Sequence, residues 1–408
     1  MNSVVLREPY RFFFPLGIVM GWMGVSPWVL YAAHVKDTYS MMFHSSTQIM
    51  LYVPCFIVGF LTTFIPRFTR TQYLSASEFV SLAGSFSAIA VCLAWEQWFG
   101  AQMVYIMLLT FLAGFVLARL KHFKPSSGGR PPLEMIWIPA GILLGIAGTV
   151  VLTLGQDGIS PRLFLKAGKS MMDQGFLLAI TTGVGAFLIP RISGTTREDP
   201  QPQTPDERRQ SLKHDALFQI AGIAVYVLSF WVEALWGTVG GYGLRALAVT
   251  AVYVRSGTLR RPPGHVPFYG KIAGVSAWMF AAGLWLAAAF PAYHQAMLHI
   301  TFIGGMGLMI VAVAGMVILS HAGEAQYLKG AWKSLAAVAG FMVLSLWLRL
   351  IAVVFPDHYF YLLGCAGLAW ILSGVVFLIW IFPRLFKVPV MDAFGRMHDD
   401  AALKERQI

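Results

Sequence analysis

Histidine side chains have the clearest capacity for chemistry in this 408-residue chain. His44 and His299 each open a long apolar segment, and His321 closes the segment that His299 opens. The run from His299 to His321 is uncharged and, at about 1.5 Å per residue, spans roughly 33 Å, close to the ~30 Å hydrocarbon core of a bilayer. Neutral imidazoles on two facing helices can bind a haem iron as axial ligands. His44 and His299 are therefore candidate haem ligands by their equal depth, while the pairing of their two helices is not determined by the sequence pattern.

A simpler interpretation applies to any one of the ten histidines, because interfacial imidazoles are often solvated or capping groups. His44 and His299 differ from the others in opening their segments at the same predicted depth. If they bind iron through one ring nitrogen, the other nitrogen needs a hydrogen-bond partner that fixes the tautomer. The candidates from sequence are Ser45, Ser46 and Thr47 beside His44, and Thr301 beside His299.

Methionines collect near the same predicted outer ends of helices. Thioether sulfur together with imidazole suits Cu(I), so these residues are candidate copper ligands. The alternative is that they fill irregular helix contacts, as methionine commonly does. The candidates are Met41, Met42, Met171, Met172 and Met297.

Charged residues within apolar segments are the other candidates for function. Arg349 lies in LSLWLRLIAVVF, about two helical turns before Asp357. A buried arginine needs an anionic partner, either a carboxylate in a structural ion pair or an acid group of a ligand, such as a haem propionate. Asp173, Glu233 and Glu96 lie nearer the predicted interfaces.

Composition places these residues in a membrane protein. The chain is 57% hydrophobic and 12% charged, with mean hydropathy +0.66, whereas a soluble protein carries about twice that charged fraction. The net charge of +11 fits basic loops on one side of a membrane better than a nucleic-acid partner. The three cysteines lie in apolar runs without metal-binding spacing, so no disulfide is expected.

The apolar segments predict an all-α, polytopic bundle of about twelve spans in contact with the lipid bilayer. These lie at 11–33, 45–66, 76–96, 101–120, 135–154, 170–191, 214–236, 238–255, 268–290, 295–320, 331–354 and 358–383. The polar stretch Ser193–Lys213 separates six spans from six. It predicts three parts: 1–192, a cytoplasmic connector at 193–213, and 214–408 with a short cytoplasmic tail.

Basic residues predict the orientation. Of the 30 Lys and Arg, 24 fall at the termini or in loops on one side, which predicts cytoplasmic termini in a bacterial-type inner membrane. The first apolar run lacks a cleavage site, so we expect it to remain as span one. Six cations remain for the outer side: Lys36, Arg162, Lys166, Lys169, Arg245 and Arg349.

A weak internal repeat is also visible. Span two ends in GFLTTFIPRFTRT and span six ends in GVGAFLIPRISGTT, while span ten ends in VILSHAGE. The spacing suggests a four-helix unit repeated three times. The alternative is that Ile-Pro-Arg is simply a good helix stop at an interface.

These segments resemble the NnrS family of polytopic haem- and copper-containing membrane proteins. In its second span the family has a pattern close to HAHEMLFGF, and His44 to Thr47 occupy the HAHE position. The family's tenth span is similar to the stretch from Leu298 to Gly323, in which His299 and His321 are in step, and Arg349 matches an arginine of the penultimate span. The resemblance implies that His44, His299 and Arg349 bind the cofactor, and that His44, His299 and His321 are metal ligands.

This sequence also departs from the family pattern. Ser46 and Thr47 replace the second histidine and the glutamate of HAHE, Phe302 and Met316 replace a threonine and an arginine, and Ala273 stands near a family histidine. The loss of these potential ligands weakens the expectation of copper binding most.

The resemblance implies a haem-binding, and by family copper-binding, protein of the inner membrane that acts in nitric oxide response or protection from nitrosative stress. It leaves open whether the protein is an enzyme. The alternatives from sequence are a twelve-span transporter or channel without haem, which the six-plus-six division favours, and a scaffold for a respiratory complex.

Overall fold

The computed structural model describes residues 3–123, 132–156, 162–196, 204–330 and 333–387. Helices dominate these residues, and no strand occurs among them, so the all-α prediction is confirmed. We number the long helices α1 Tyr10–Ala32, α2 Met41–Thr69, α3 Ala76–Ala94, α4 Trp98–Lys121, α5 Trp137–Gln156, α6 Arg162–Ile192, α7 Pro205–Trp236, α8 Thr238–Ser256, α9 Phe268–Ala289, α10 Pro291–His321, α11 Lys333–Ile351 and α12 Tyr359–Ile381.

Within the described ranges, eleven of these helices are long and apolar enough to cross a membrane. The exception is α8, a helix of 19 residues that carries Arg245 and Arg255. The polytopic prediction is confirmed, whereas cytoplasmic termini and the three-part division remain predictions. Helix α7 already begins at Pro205, inside the segment predicted as a connector, and residues 197–203 of that segment lie outside the described part.

Local signals start the helices where polar segments meet apolar ones. The Ser75 side chain caps the first turn of α3, and Glu78 bonds back to the Ser75 backbone. Thr204 and Glu207 form the same capping box at the start of α7, where Pro205 has no N–H to leave unpaired.

Three helices form the centre of the bundle. The apolar windows of α2, α6 and α10 are 89%, 83% and 78% buried, against 61% for the next, α9. Each of the three contains a π-helical segment, at Gln48–Tyr52, Met171–Gly175 and Ile300–Gly307. Such segments are rare and frequently occur at functional sites. These are the spans that the predicted repeat relates to one another, and their shared burial and shape support that repeat.

Close packing of α10 depends on glycine. A Cβ atom at Gly305 would lie 2.6 Å from the Cα of Phe280 in α9, which is closer than two carbon atoms can approach. Glycine at this position therefore lets α9 and α10 approach closely.

Both described ends of the chain meet at one end of the bundle. Arg11 Nη1 donates to the carbonyl oxygens of Leu385 (2.5 Å) and Lys387 (2.8 Å). Arg11 and Arg67 both pair with the buried Glu8. The start of α1 is thereby joined to the segment after α12.

Candidate functional site

A large cavity lies beside the π-helical segments of the three central helices. Its volume of about 790 Å³ is within the usual ~300–1,000 Å³ of ligand sites, and its walls are mainly apolar. His44, His299 and Arg349, the three residues predicted to bind a cofactor, all line it. Three distant parts of the sequence thus meet in one place.

His44 is held in one tautomer by helix α1. Its Nδ1 lies 3.0 Å from the carbonyl oxygen of Gly24, and a carbonyl only accepts, so the neutral ring carries its hydrogen on Nδ1 and a lone pair on Nε2. Gly24 allows this contact, because a Cβ there would lie 2.6 Å from Nε2 of Gln48.

His299 has the same tautomer from a local contact. Its Nδ1 lies 2.7 Å from the carbonyl oxygen of Gln295, one turn earlier in α10. Nε2 therefore carries the lone pair that a metal ligand requires.

The hydroxyl groups expected to fix these tautomers do not do so, and that prediction was wrong. Both Nδ1 atoms bond to backbone carbonyls instead. Serine and threonine hydroxyls in helices readily bond to backbone carbonyls nearby. Ser45 Oγ donates to Met42, Thr47 Oγ1 to Phe43, and Thr301 Oγ1 to Phe280 in α9.

Arg349 reaches the cavity from α11 with an unused donor. Its Nη1 is buried and has no hydrogen-bond partner within the described ranges, and no carboxylate in that part of the chain pairs with it. A structural ion pair, the alternative from sequence, is not found there. Arg349 is half-buried, and its buried Nη1 is available to an anionic group from outside the chain.

His321 lies away from the cavity. Its ring centre is 5.3 Å from that of Tyr10, at the end of the bundle where the termini meet. No group of three or more His, Cys, Asp or Glu able to hold a metal occurs among residues whose placement is described. A metal-binding role for His321 therefore remains a prediction, separate from the cavity.

The predicted methionine group is divided by the structure. Met41, Met42 and Met172 line the cavity, whereas Met171 and Met297 do not. Sulfur and imidazole thus share one cavity, although in a smaller set than sequence suggested.

Part of the cavity wall is held in place by Arg245, which is not itself a lining residue and whose role the sequence did not indicate. Its side chain is fully buried, and its guanidinium donates to Gln174 Oε1 (2.6 Å), Glu233 Oε2 (2.7 Å) and Ser229 Oγ (3.2 Å). The rings of Phe230 and Tyr242 lie 4.1 and 4.6 Å from it. A charge in the middle of a glycine-rich helix was the available signal, but its partners come from other helices.

Two further polar contacts involve the carboxylates that line the cavity. Ser170 Oγ donates to Glu233 at 2.8 Å. Lys169 pairs with Asp173 at 2.8 Å. Both carboxylates on the cavity wall are therefore compensated by a cation.

Comparison with known proteins identifies a family for nearly the whole chain. No curated protein matches the chain. The profile of the NnrS family, described as NnrS protein, matches residues 4–388. This match includes every residue that lines the cavity, and the chain therefore belongs to the NnrS family.

Proposed function

We propose that this membrane protein binds haem in the cavity, with His44 and His299 as axial ligands. The observation that carries the proposal is one cavity lined by His44 and His299, both with available Nε2 lone pairs, and by an arginine with an unused buried donor. A third imidazole, His294, also lines this cavity. The NnrS resemblance suggested the same residues independently of this geometry.

The cavity suits a large, mostly apolar macrocycle. Its walls include the aromatic side chains of Trp28, Tyr52 and Trp370, which are appropriate surfaces for a flat ring system. Arg349 would pair with a propionate, because its guanidinium matches a carboxylate. When bound, haem supplies one-electron redox chemistry and an iron that binds nitric oxide.

The cellular role follows from the family. We propose that the haem protein acts in nitric oxide response or in protection from nitrosative stress, in a bacterial-type inner membrane. The residues of the chain hold and orient the cofactor and exclude bulk water from it.

Copper is a second candidate cofactor. Met41, Met42 and Met172 line the cavity together with the two histidines, and thioether with imidazole is a Cu(I) ligand set. Metal analysis of the purified protein tests this, with Met172→Leu as the variant and Met171→Leu, outside the cavity, as its control.

The visible spectrum of the purified protein tests the haem proposal. We expect a Soret band of six-coordinate low-spin haem that is lost in His44→Ala and in His299→Ala, and kept in His321→Ala. Loss in His321→Ala with retention in His299→Ala would move the site to the other end of α10. No Soret band, even after growth with added haem, would favour the twelve-span transporter or channel.

A further inference from the structure

The part of the cavity wall next to Arg245 contains a buried hydroxyl group whose proton has no acceptor in the described part of the chain. Tyr242 is 2% exposed and lines the cavity. Its oxygen lies 2.7 Å from Nε2 of Gln174 and is also close to Arg245. Within the described part of the chain, no group accepts a hydrogen bond from it. A buried donor left in this state costs about 1–3 kcal/mol.

The orientation of the Gln174 amide determines the direction of that hydroxyl. Arg245 has only donors, so the Gln174 atom that it contacts at 2.6 Å must be the oxygen, Oε1. The amide nitrogen then donates to Tyr242. The Tyr242 oxygen is an acceptor in this network, so its own O–H is free to donate to a group in the cavity. A hydroxyl that accepts from such a chain is also a stronger donor.

Positive charge is concentrated around the same cavity. Of the six cations that the sequence leaves for the predicted outer side, Lys166, Lys169 and Arg349 line it. Lys169 is neutralised by Asp173, and Glu233 on the wall is neutralised by Arg245. Lys166 and Arg349 have no ion-pair partner within the described ranges. Arg349 has a buried donor without a partner in that part of the chain, and Lys166 is an exposed cation on the lining of the same cavity. Together they favour an anionic ligand.

We propose that Tyr242 and Lys166 form a second binding site in the cavity, for a carboxylate or another small oxyanion. The Tyr242 hydroxyl donates to an oxygen of the ligand, and the Lys166 ammonium balances its charge. Arg245 and Gln174 are positioning residues that aim the hydroxyl.

Two sources could supply this oxyanion. One is a free small anion that enters the cavity. The other is a carboxylate of haem held by His44 and His299, and in that case the site rests on the proposed function.

Titration calorimetry with sodium formate tests the site on the purified full-length protein, at constant ionic strength and with sodium chloride as the reference. We expect formate to bind to the wild-type protein and its affinity to fall at least tenfold in Tyr242→Phe and in Lys166→Gln. Tyr293→Phe and Lys36→Gln, which alter residues outside the cavity, are matched controls and should bind formate like the wild type. Lys166 is exposed, so Lys166→Gln tests the site even if Tyr242→Phe does not fold.

Parallel measurements on haem-loaded and haem-free protein identify the source of the anion. Equal formate affinity in both forms indicates a free oxyanion. If haem blocks formate, and Tyr242→Phe and Lys166→Gln also lose haem, the carboxylate is that of the cofactor. A wild-type protein that never binds haem but binds formate defeats the proposed function and leaves this site standing. The site is overturned if neither variant changes formate affinity or haem retention.

Discussion

Two arginines on different helices differ in how their charge is satisfied: Arg349 lines the cavity, whereas Arg245 bonds to Gln174 and Glu233, which line it. Arg245 is fully buried, pairs with Glu233 and donates to two further side chains. Arg349 has a buried Nη1 without a partner in the part of the chain that is described. Within apolar surroundings a cation persists only when it is paired. The difference indicates that Arg245 is structural, whereas Arg349 has a donor available for the ligand proposed above.

The largest expected effect concerns Arg245. Arg245→Leu leaves Glu233 buried without its counter-charge, so we expect a loss of about 3–5 kcal/mol in the free energy of unfolding. Thermal unfolding of the purified protein in detergent measures it. Arg255→Leu is the control, because the Arg255–Asp215 pair is largely exposed and is worth under about 1 kcal/mol.

The double variant Arg245→Leu/Glu233→Leu sharpens this test. Removing both charges together should recover much of the stability, since an ion pair replaced by apolar groups is often neutral. Equal losses in Arg245→Leu and Arg255→Leu would show that Arg245 is not a structural residue.

Arg349 should show the opposite pattern. Arg349→Leu should weaken haem retention at least tenfold, equivalent to about 1.4 kcal/mol, with little change in the unfolding of the haem-free protein. Arg349→Lys should retain part of the haem, because lysine keeps the charge but lacks the planar fork. Transfer of haem to a scavenging protein measures retention. Full retention in both variants, with lower yield only, would make Arg349 structural as well.

The hydroxyl groups of two buried tyrosines extend the comparison to neutral groups. Tyr226 donates to the carbonyl oxygens of Gln174 (3.0 Å) and Gly175 (3.4 Å) in the π-helical segment of α6. We expect Tyr226→Phe to cost about 1 kcal/mol in thermal unfolding. The Tyr105 hydroxyl is buried and unpaired among the described residues, so Tyr105→Phe should cost nothing or stabilise. A larger loss in Tyr105→Phe would contradict this ranking.

A small effect that depends on pH is expected at Glu324, outside the spans. Burial raises the pKa of its carboxyl group, but hydrogen bonds from Lys387 and Arg384 outweigh burial and hold the pKa below its ordinary value of 4.5. A lowered folded-state pKa stabilises the protein above about pH 4.5, and this contribution is lost as the pH falls through the folded-state pKa.

Unfolding at several pH values measures this contribution. Near neutral pH the free energy of unfolding of the wild type should be larger than that of Glu324→Gln by under about 1 kcal/mol. This difference should shrink as the pH falls. A stability difference that grows below pH 4.5 would contradict a lowered folded-state pKa of Glu324.

Much of the fold could be predicted because apolar segments of membrane-spanning length are local features. The predicted span 11–33 corresponds to Tyr10–Ala32, and 268–290 corresponds to Phe268–Ala289. Prediction and structure differ at α8, which was predicted as a span. Within the described ranges it lacks the apolar character of the other eleven helices. Its arginine is tolerated there because Glu233 neutralises it across the helix contact.

The candidate site was predictable only in part. His44, His299 and Arg349 carry signals in their own segments, as interfacial imidazoles and as a charge inside an apolar run. Arg245 offered only its charge within a predicted span, and Tyr242 offered no signal, because the roles of both arise from partners on other helices. The tautomer partners were missed for the same reason at His44, whose bond goes to Gly24 in another helix.

The sequence by itself determined the helices, their apolar lengths and the histidines and arginine that are candidates for ligand binding, because hydropathy and charge are properties of single segments. Only the tertiary structure decided that α2, α6 and α10 become the buried centre, each with a π-helical segment beside one cavity. It also decided that Arg245 finds a carboxylate while Arg349 finds none among the described residues. Pairing of charges depends on distances between segments far apart in the chain, and those distances exist only after the helices have packed.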